Sequence, residues 1–144
     1  MREIKFRAMY GNTMVFGNYI KANINGRVFH EIEHSDSNDF SKYEVNPETL
    51  GQFTGKQDKN GKDIYEGDLV KAYRANSDLG SQNDLYSIYW DDLHLAWNYW
   101  IVSSDNRNRI DRPLYTCNNK PFLLNNPNIE IIGNIYEHGT LQKQ

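Results

Sequence analysis

The segment HEIEH, residues 30–34, carries the residue types of a hydrolytic metal site. His30, Glu31 and His34 match the H-E-x-x-H pattern, in which two imidazoles hold zinc and the glutamate acts as a base. This chemistry requires a helix, because residues four apart are then neighbours, ~6 Å from each other. On a strand the same two histidines lie ~13 Å apart, since each residue advances ~3.3 Å. The conformation of this segment therefore decides whether zinc hydrolysis is available.

The surrounding residues predict a strand. In RVFHEIEH the side chains alternate from Val28 to His34, directly after an Asn25-Gly26 turn signal. The polar cluster SDSNDFS follows and breaks regular structure. Ser37 stands where the extended zinc-protease pattern has glycine. We therefore expect no catalytic residues, no metal and no cofactor, with zinc hydrolase as a residual alternative for HEIEH.

Length and composition indicate a cytoplasmic protein of one domain. The chain has 144 residues, a net charge of −3 and a single cysteine, Cys117, which excludes an internal disulfide. It has no apolar run long enough to span a membrane and no leader pattern at its start. A weakly acidic chain is not suited to general nucleic-acid binding, because phosphate contacts require a basic face.

Short alternating segments predict an all-β fold of about eight strands. EIKFRAMY and MVFGNYIKA indicate a hairpin around Gly11-Asn12, and Asn60-Gly61 is typical of a second, type I′ turn. Residues 35–46 indicate a loop. Asn46 followed by Pro47 predicts one short helical turn. In IEIIGNIYE the glycine indicates a bulge or close packing.

An aromatic and basic segment supports an alternative function. Its rings could stack on single-stranded nucleic acid while nearby arginines hold phosphates. The other interpretation is that the rings form a barrel core or a protein interface. Acidity and the adjacent Asp91-Asp92 pair favour the second interpretation. The candidate nucleic-acid-binding residues are Trp90, Trp97, Tyr99, Trp100, Arg107, Arg109 and Arg112.

Two long blocks and the start of the chain resemble the YopX family of phage and prophage proteins. The blocks are GQFTGKQDKNGKDIYEGDLVK and IEIIGNIYEHGTL, and the opening is REIKFRAM. His138-Gly139 departs from the Asn-Pro common after IYE, and residues 74–128 are variable in the family. The resemblance implies a mainly β fold, a phage or prophage origin and a host-cytoplasm setting. It implies no activity, because the role of the family is undefined.

These observations predict a single domain over residues 1–144. We expect an N-terminal β lobe over 1–62, a small β-barrel lobe over 63–138, SH3-like by analogy, and a tail over 139–144. The expected function is an accessory role exerted by binding, either of a protein partner or of a second copy in a homo-oligomer. No membrane is expected as a partner, and nucleic acid is the alternative ligand.

Overall fold

The described part of the chain is built from β-strands. The computed structural model describes residues 1–34, 40–72, 85–102 and 127–137. Within these ranges there is one short 3₁₀ turn and no α-helix, so the all-β prediction is confirmed. The elements are β1 (Phe6–Tyr10), β2 (Thr13–Ile24), β3 (Arg27–Glu33), β4 (Lys42–Glu44), the 3₁₀ turn (Pro47–Thr49), β5 (Gly51–Gln57), β6 (Asp63–Tyr65), β7 (Asp68–Ala72), β8 (Leu85–Asp91), β9 (Ala96–Val102) and β10 (Ile129–Asn134). In these residues we find no helix long and apolar enough to cross a membrane.

The strands form two antiparallel sheets. One has the order β4-β3-β2-β1-β5-β6 and the other the order β10-β7-β8-β9. The chain divides into two compact units, Met1–Gly55 and Lys56–Gln144. In the described part of the second unit, the outermost strands β10 and β9 are not paired with each other. The barrel over 63–138 therefore stays a prediction, and the structure establishes an antiparallel sheet there.

The long strand β2 changes partner at Gly17. Its first part pairs with β1 as far as Gly17, and its second part pairs with β3 from Asn18 onward. Gly17 is buried and has φ 155°, and a side chain there would overlap the carbonyl oxygen of Glu33. Glycine is therefore required at the point where the two neighbouring strands approach β2 from opposite edges.

The sheet of the first unit is curved, so that β1 and β4 approach each other across its inner face. The rings of Tyr10 on β1 and Tyr43 on β4 lie 5.2 Å apart, although β2 and β3 stand between these strands. The amide of Asn46 donates to the carbonyl of Met9 at 3.0 Å, which ties the end of β4 to β1. The buried core within this fold consists of Ala8, Ile32 and Val45.

The turns confirm most of the turn predictions and correct one. Asn25 and Gly26 both have positive φ, 52° and 82°, as a type I′ turn requires. Asn46 caps the 3₁₀ turn, since its Oδ1 accepts from the Glu48 amide at 3.0 Å. The type I′ prediction at Asn60-Gly61 is wrong: only Gly61 has positive φ, 78°, and its amide donates to the Asp58 carbonyl at 3.0 Å. This geometry is that of a three-residue loop closed by a glycine bulge.

Two further predictions are corrected by strand pairing. Within the predicted loop 35–46, Lys42–Glu44 forms β4, because these residues pair with the end of β3. The bulge predicted near Gly133 is confirmed by a register shift between Ile131 and Gly133. Strict alternation from Ile129 predicts that Asn134 faces the opposite side of the sheet. The bulge reverses the alternation that follows it, and Asn134 is only 5% exposed.

Candidate interaction surface

The HEIEH motif lies on an extended strand. His30 and Glu31 are within β3, and His34 follows the last residue of that strand, so the predicted extended backbone is confirmed. The Nδ1 atom of His30 is 2.6 Å from the hydroxyl oxygen of Tyr19, and the two rings are stacked with an interplanar angle of 18°. In the described ranges no three side chains of the metal-ligating types come together. The motif therefore lacks the helical spacing that zinc hydrolysis requires.

Three of the four aromatic candidates for nucleic-acid stacking pack against other rings in the second unit. Tyr99 is 5% exposed and meets Tyr86 edge to face, with ring centroids 5.2 Å apart. Trp90 and Trp97 are half-buried cross-strand partners whose centroids are 5.0 Å apart, and Trp97 packs against the core. The side chain of Trp100, together with Arg107, Arg109 and Arg112, lies outside the described residues. The structure thus brings three of the seven candidates together, and the stacking hypothesis stays a prediction.

The carboxylate of Asp91 organises the turn between β8 and β9. It accepts hydrogen bonds from the amides of Leu93 and His94 at 3.0 and 3.2 Å, and from Asn98 Nδ2 at 3.2 Å. His94 Nδ1 lies 2.7 Å from Asp91 Oδ2. The His94 hydrogen bond lowers the pKa of Asp91, and the other donors add to this against a contribution from burial. Asp91 therefore has a structural role in this turn.

The outer face of the β2–β3 hairpin is apolar. Side chains alternate along each strand, and Ala22 is paired with Phe29, so residues at every second position from this pair share one face. This face is opposite to the one that carries Ile32, and none of its apolar residues belongs to the described core of the first unit. Ile24 is 57% exposed and the other three apolar residues are half-buried. We call this set the outer patch: Ile20, Ala22, Ile24 and Phe29.

Opposite charges flank the outer patch. Arg27 is paired with Ile24 at one end, and Glu31 is paired with Ile20 at the other. The guanidinium of Arg27 lies 4.5 Å from the centroid of the Phe29 ring and 3.0 Å from Glu44. Its side chain is nevertheless 68% exposed. An apolar centre with an aromatic ring and a charged rim is the usual anatomy of a protein interface.

The hairpin extends beyond its neighbours. β1 covers β2 only up to Gly17, and β4 covers β3 only from Glu31. Four residue pairs before the Asn25-Gly26 turn, from Lys21–His30 to Ile24–Arg27, therefore have no third strand paired with them in the described residues. This end of the hairpin presents its outer face without a neighbouring strand at either edge.

The residues of β2 contain a sequence signal for the outer patch. On β2, apolar residues occupy both alternating sets, with Val15 and Tyr19 on the inner face and Phe16, Ile20 and Ile24 on the outer face. A strand with one solvated face shows polar residues on that face. A two-sided apolar strand indicates a second buried surface, which the inner core alone does not explain.

Comparison with known proteins identifies the family. The YopX protein family profile matches residues 5–143. The chain belongs to the YopX family. A solved structure, the crystal structure of protein EF1440 from Enterococcus faecalis, is similar with 20% sequence identity and a TM-score of 0.44, covering 99% of this chain and 100% of that one. A comparison with curated proteins gave no match.

The central YopX block places Asp58 where the polar turn meets β10. One carboxylate oxygen accepts the amides of Asn60 and Lys62 at 2.8 and 2.9 Å, and the other accepts the amide of Ile131 at 3.1 Å. The side chain of Lys59 also pairs with Glu130 at 2.6 Å. The sequence of this segment predicts only a turn, and its connection to β10 has no local signal because the partner is 73 residues away.

The IYEGD and IGNIYE blocks of this YopX chain meet at Gly67 and Asp68. Gly67 has φ 86°, its amide donates to Ile88 at 2.8 Å, and its carbonyl accepts from Ile135 at 2.9 Å. Asp68 is 1% exposed, accepts the Tyr65 amide at 2.8 Å and is paired with Asn134 in the sheet. The described residues of these two blocks therefore serve turns and strand junctions.

Proposed function

We propose that this YopX-family chain acts by binding a protein through the outer patch and does not catalyse a reaction. We further propose that it is an accessory protein of a bacteriophage or prophage, acting in the host cytoplasm. The observation that carries the binding proposal is the apolar outer face of the β2–β3 hairpin, where Ile24 is 57% exposed. The family resemblance supports the phage setting.

Three features support binding over catalysis. The HEIEH segment is extended, with His30 on β3 beside the Tyr19 hydroxyl, the Asp91–His94 pair holds a turn, and Asp58 and Asp68 accept backbone amides. Each of these polar groups thus has a structural task. The outer patch, in contrast, has apolar side chains outside the described core, and burying such surface favours association.

Site-directed cross-linking in cells tests the binding proposal. A photo-cross-linking amino acid at Ile24 is expected to give a discrete protein adduct. Lys21 is the matched control, because it lies on the same strand with its side chain on the opposite face. Excess wild-type chain should compete the adduct away, whereas excess Ile24→Asp chain should not. Equal labelling from positions 21 and 24, or none from either, would contradict the proposal.

The alternative function makes a different prediction in a mobility-shift assay. Because Tyr99 is buried and Trp90 and Trp97 pack on each other, we expect no shift of single-stranded DNA, duplex DNA or RNA at micromolar chain concentrations. Binding of single strands at these concentrations that weakens steeply over a salt series would favour the nucleic-acid function, since released counterions make such binding salt-dependent.

A further inference from the structure

The order of apolar and charged residues in and around the outer patch is complementary to the same order in a second copy turned end to end. We propose that a second copy of this chain is the protein that binds there, with outer patch packed on outer patch and the β2 strands antiparallel. This inference rests on the proposed function and names its partner. It predicts a homodimer with an isologous interface, in which the same residues contribute from both sides.

The apolar side chains of the patch are arranged symmetrically about one strand pair. A two-fold axis in the interface plane, along the Ala22–Phe29 pair, sets each of these residues over its own counterpart in the other copy. The same rotation places Ile20 of one copy over Ile24 of the other, because both lie two positions from Ala22 on the same face. Apolar groups thus meet apolar groups at every position on β2.

The charged rim selects this orientation over the parallel one. Arg27 and Glu31 lie two positions on either side of Phe29, so the rotation places Arg27 of each copy over Glu31 of the other. The contact is reciprocal and contains two such pairs. A parallel arrangement, with the two-fold axis along the strands, would instead set β2 over β3 and place Arg27 over Ile24 and Glu31 over Ile20 of the other copy, so that each charge is covered by an apolar residue without a partner. The charge pattern therefore fits an antiparallel second copy.

The extent of the patch limits the strength of the dimer. The patch runs over roughly 15 Å of two strands that are ~4.8 Å apart. The area of a patch with these dimensions is well below the ~800 Å² that each partner buries in a standard stable interface. We therefore expect a weak, concentration-dependent dimer, with a dissociation constant in the micromolar to millimolar range.

A charge-exchange series measured by sedimentation equilibrium tests the proposal. The wild-type chain is expected to move from monomer mass towards twice that mass as its concentration rises from ~1 µM to ~1 mM, the range set by the expected affinity. Arg27→Glu and Glu31→Arg should each raise the dissociation constant by about tenfold or more, equivalent to ~1.4 kcal/mol. The double variant should return to within about threefold of wild type, because each pair is restored with its charges exchanged.

Two controls separate the interface from effects on the fold. Lys21→Glu changes the charge by the same amount as Arg27→Glu but on the opposite face, and it should leave dimerisation unchanged. Arg27→Glu also removes the Arg27–Glu44 ion pair, and Glu31→Arg places a cation opposite Glu44, the partner of residue 31 on β4. The series is therefore repeated with Glu44→Gln, which removes both contacts and should leave the recovery unchanged. Melting temperatures of all variants verify that the first unit stays folded.

The outcomes distinguish this inference from the proposed function. Weakening by both single variants without recovery in the double variant overturns the antiparallel arrangement. A chain that stays monomeric at every concentration, yet forms an adduct with a different protein from position 24, overturns the second-copy inference and leaves the proposed function standing. A monomer with no adduct overturns both.

Discussion

Replacing Asp58 by alanine is expected to lower the free energy of unfolding of the second unit by about 3–4 kcal/mol. The carboxylate is 8% exposed and accepts hydrogen bonds from the amides of Asn60, Lys62 and Ile131. Alanine leaves these donors without their acceptor and releases the turn from β10. Chemical denaturation followed by tryptophan fluorescence measures the loss, since all three tryptophans, residues 90, 97 and 100, lie in this unit.

Asp58→Asn is the matched control, because it keeps the size of the side chain and removes the group whose titration makes stability depend on pH. Burial acts to raise the pKa of Asp58, but the amides of Lys62, Ile131 and Asn60 and the charge of Lys62 together hold it below the ordinary value of 3.8. The native state therefore binds fewer protons than the unfolded state between the lowered pKa and the unfolded value. The stabilisation is complete above the unfolded pKa and is lost as pH falls through the folded one.

The lowered pKa of Asp58 determines how the free energy of unfolding changes in acid. We expect the free energy of unfolding of the wild-type chain to decline as pH falls below about 4, and the decline to be smaller in Asp58→Asn. A residual decline should persist, because the pKa of Asp91 is also lowered by its hydrogen bonds with His94. Identical acid profiles for the two chains would show that Asp58 is not held as an ionised acceptor.

Replacing Gly17 by alanine is expected to destabilise the first unit by about 3 kcal/mol or more. A Cβ at this position overlaps the carbonyl oxygen of Glu33, and φ 155° is a conformation that side chains disfavour. The pairing of β2 with β3 must shift to make room, which disturbs both the inner core and the outer patch. Thermal unfolding followed by far-ultraviolet circular dichroism, with hydrogen exchange resolved to β2 and β3, measures the effect.

Gly11→Ala separates backbone strain from steric overlap. Gly11 also has positive φ, 58°, but a Cβ there meets nothing within 4 Å. We expect a cost of about 1 kcal/mol, the price of the left-handed conformation alone. If Gly17→Ala costs no more than Gly11→Ala, the close approach of Glu33 does not contribute to stability and β2 tolerates a side chain at its change of partner.

Local patterns were sufficient for most of the elements whose signals are short-range; the type I′ turn predicted at Asn60-Gly61 is the exception. The type I′ turn at Asn25-Gly26, the Asn46 cap and the extended HEIEH segment follow from residue types next to one another, and the structure contains all three. The other wrong predictions arose where the deciding partner is remote. β4 exists because Lys42–Glu44 meets β3, and Asn134 is buried because the bulge in β10 shifts its pairing with β7.

The outer patch likewise depends partly on local sequence signals and partly on contacts between remote residues. The sequence shows that both alternating sets of residues on β2 contain apolar side chains. Which set faces the core depends on the curvature of the sheet that brings Tyr10 and Tyr43 together. The match between Arg27 and Glu31 depends on the register that pairs them with Ile24 and Ile20. Neither relation could be obtained from alternation alone, because a register shift of one residue would exchange the faces.

The amino-acid sequence by itself determined the β class, several turns and membership of the YopX family, because alternation, Asn-Gly pairs and a long contiguous block are local properties. Only the tertiary structure decided where the carboxylate of Asp58 binds, why Gly17 must be glycine and which face of β2 is left apolar and outward. These depend on strands brought together from distant parts of the chain, and the contacts between them are set by sheet register rather than by neighbouring residues.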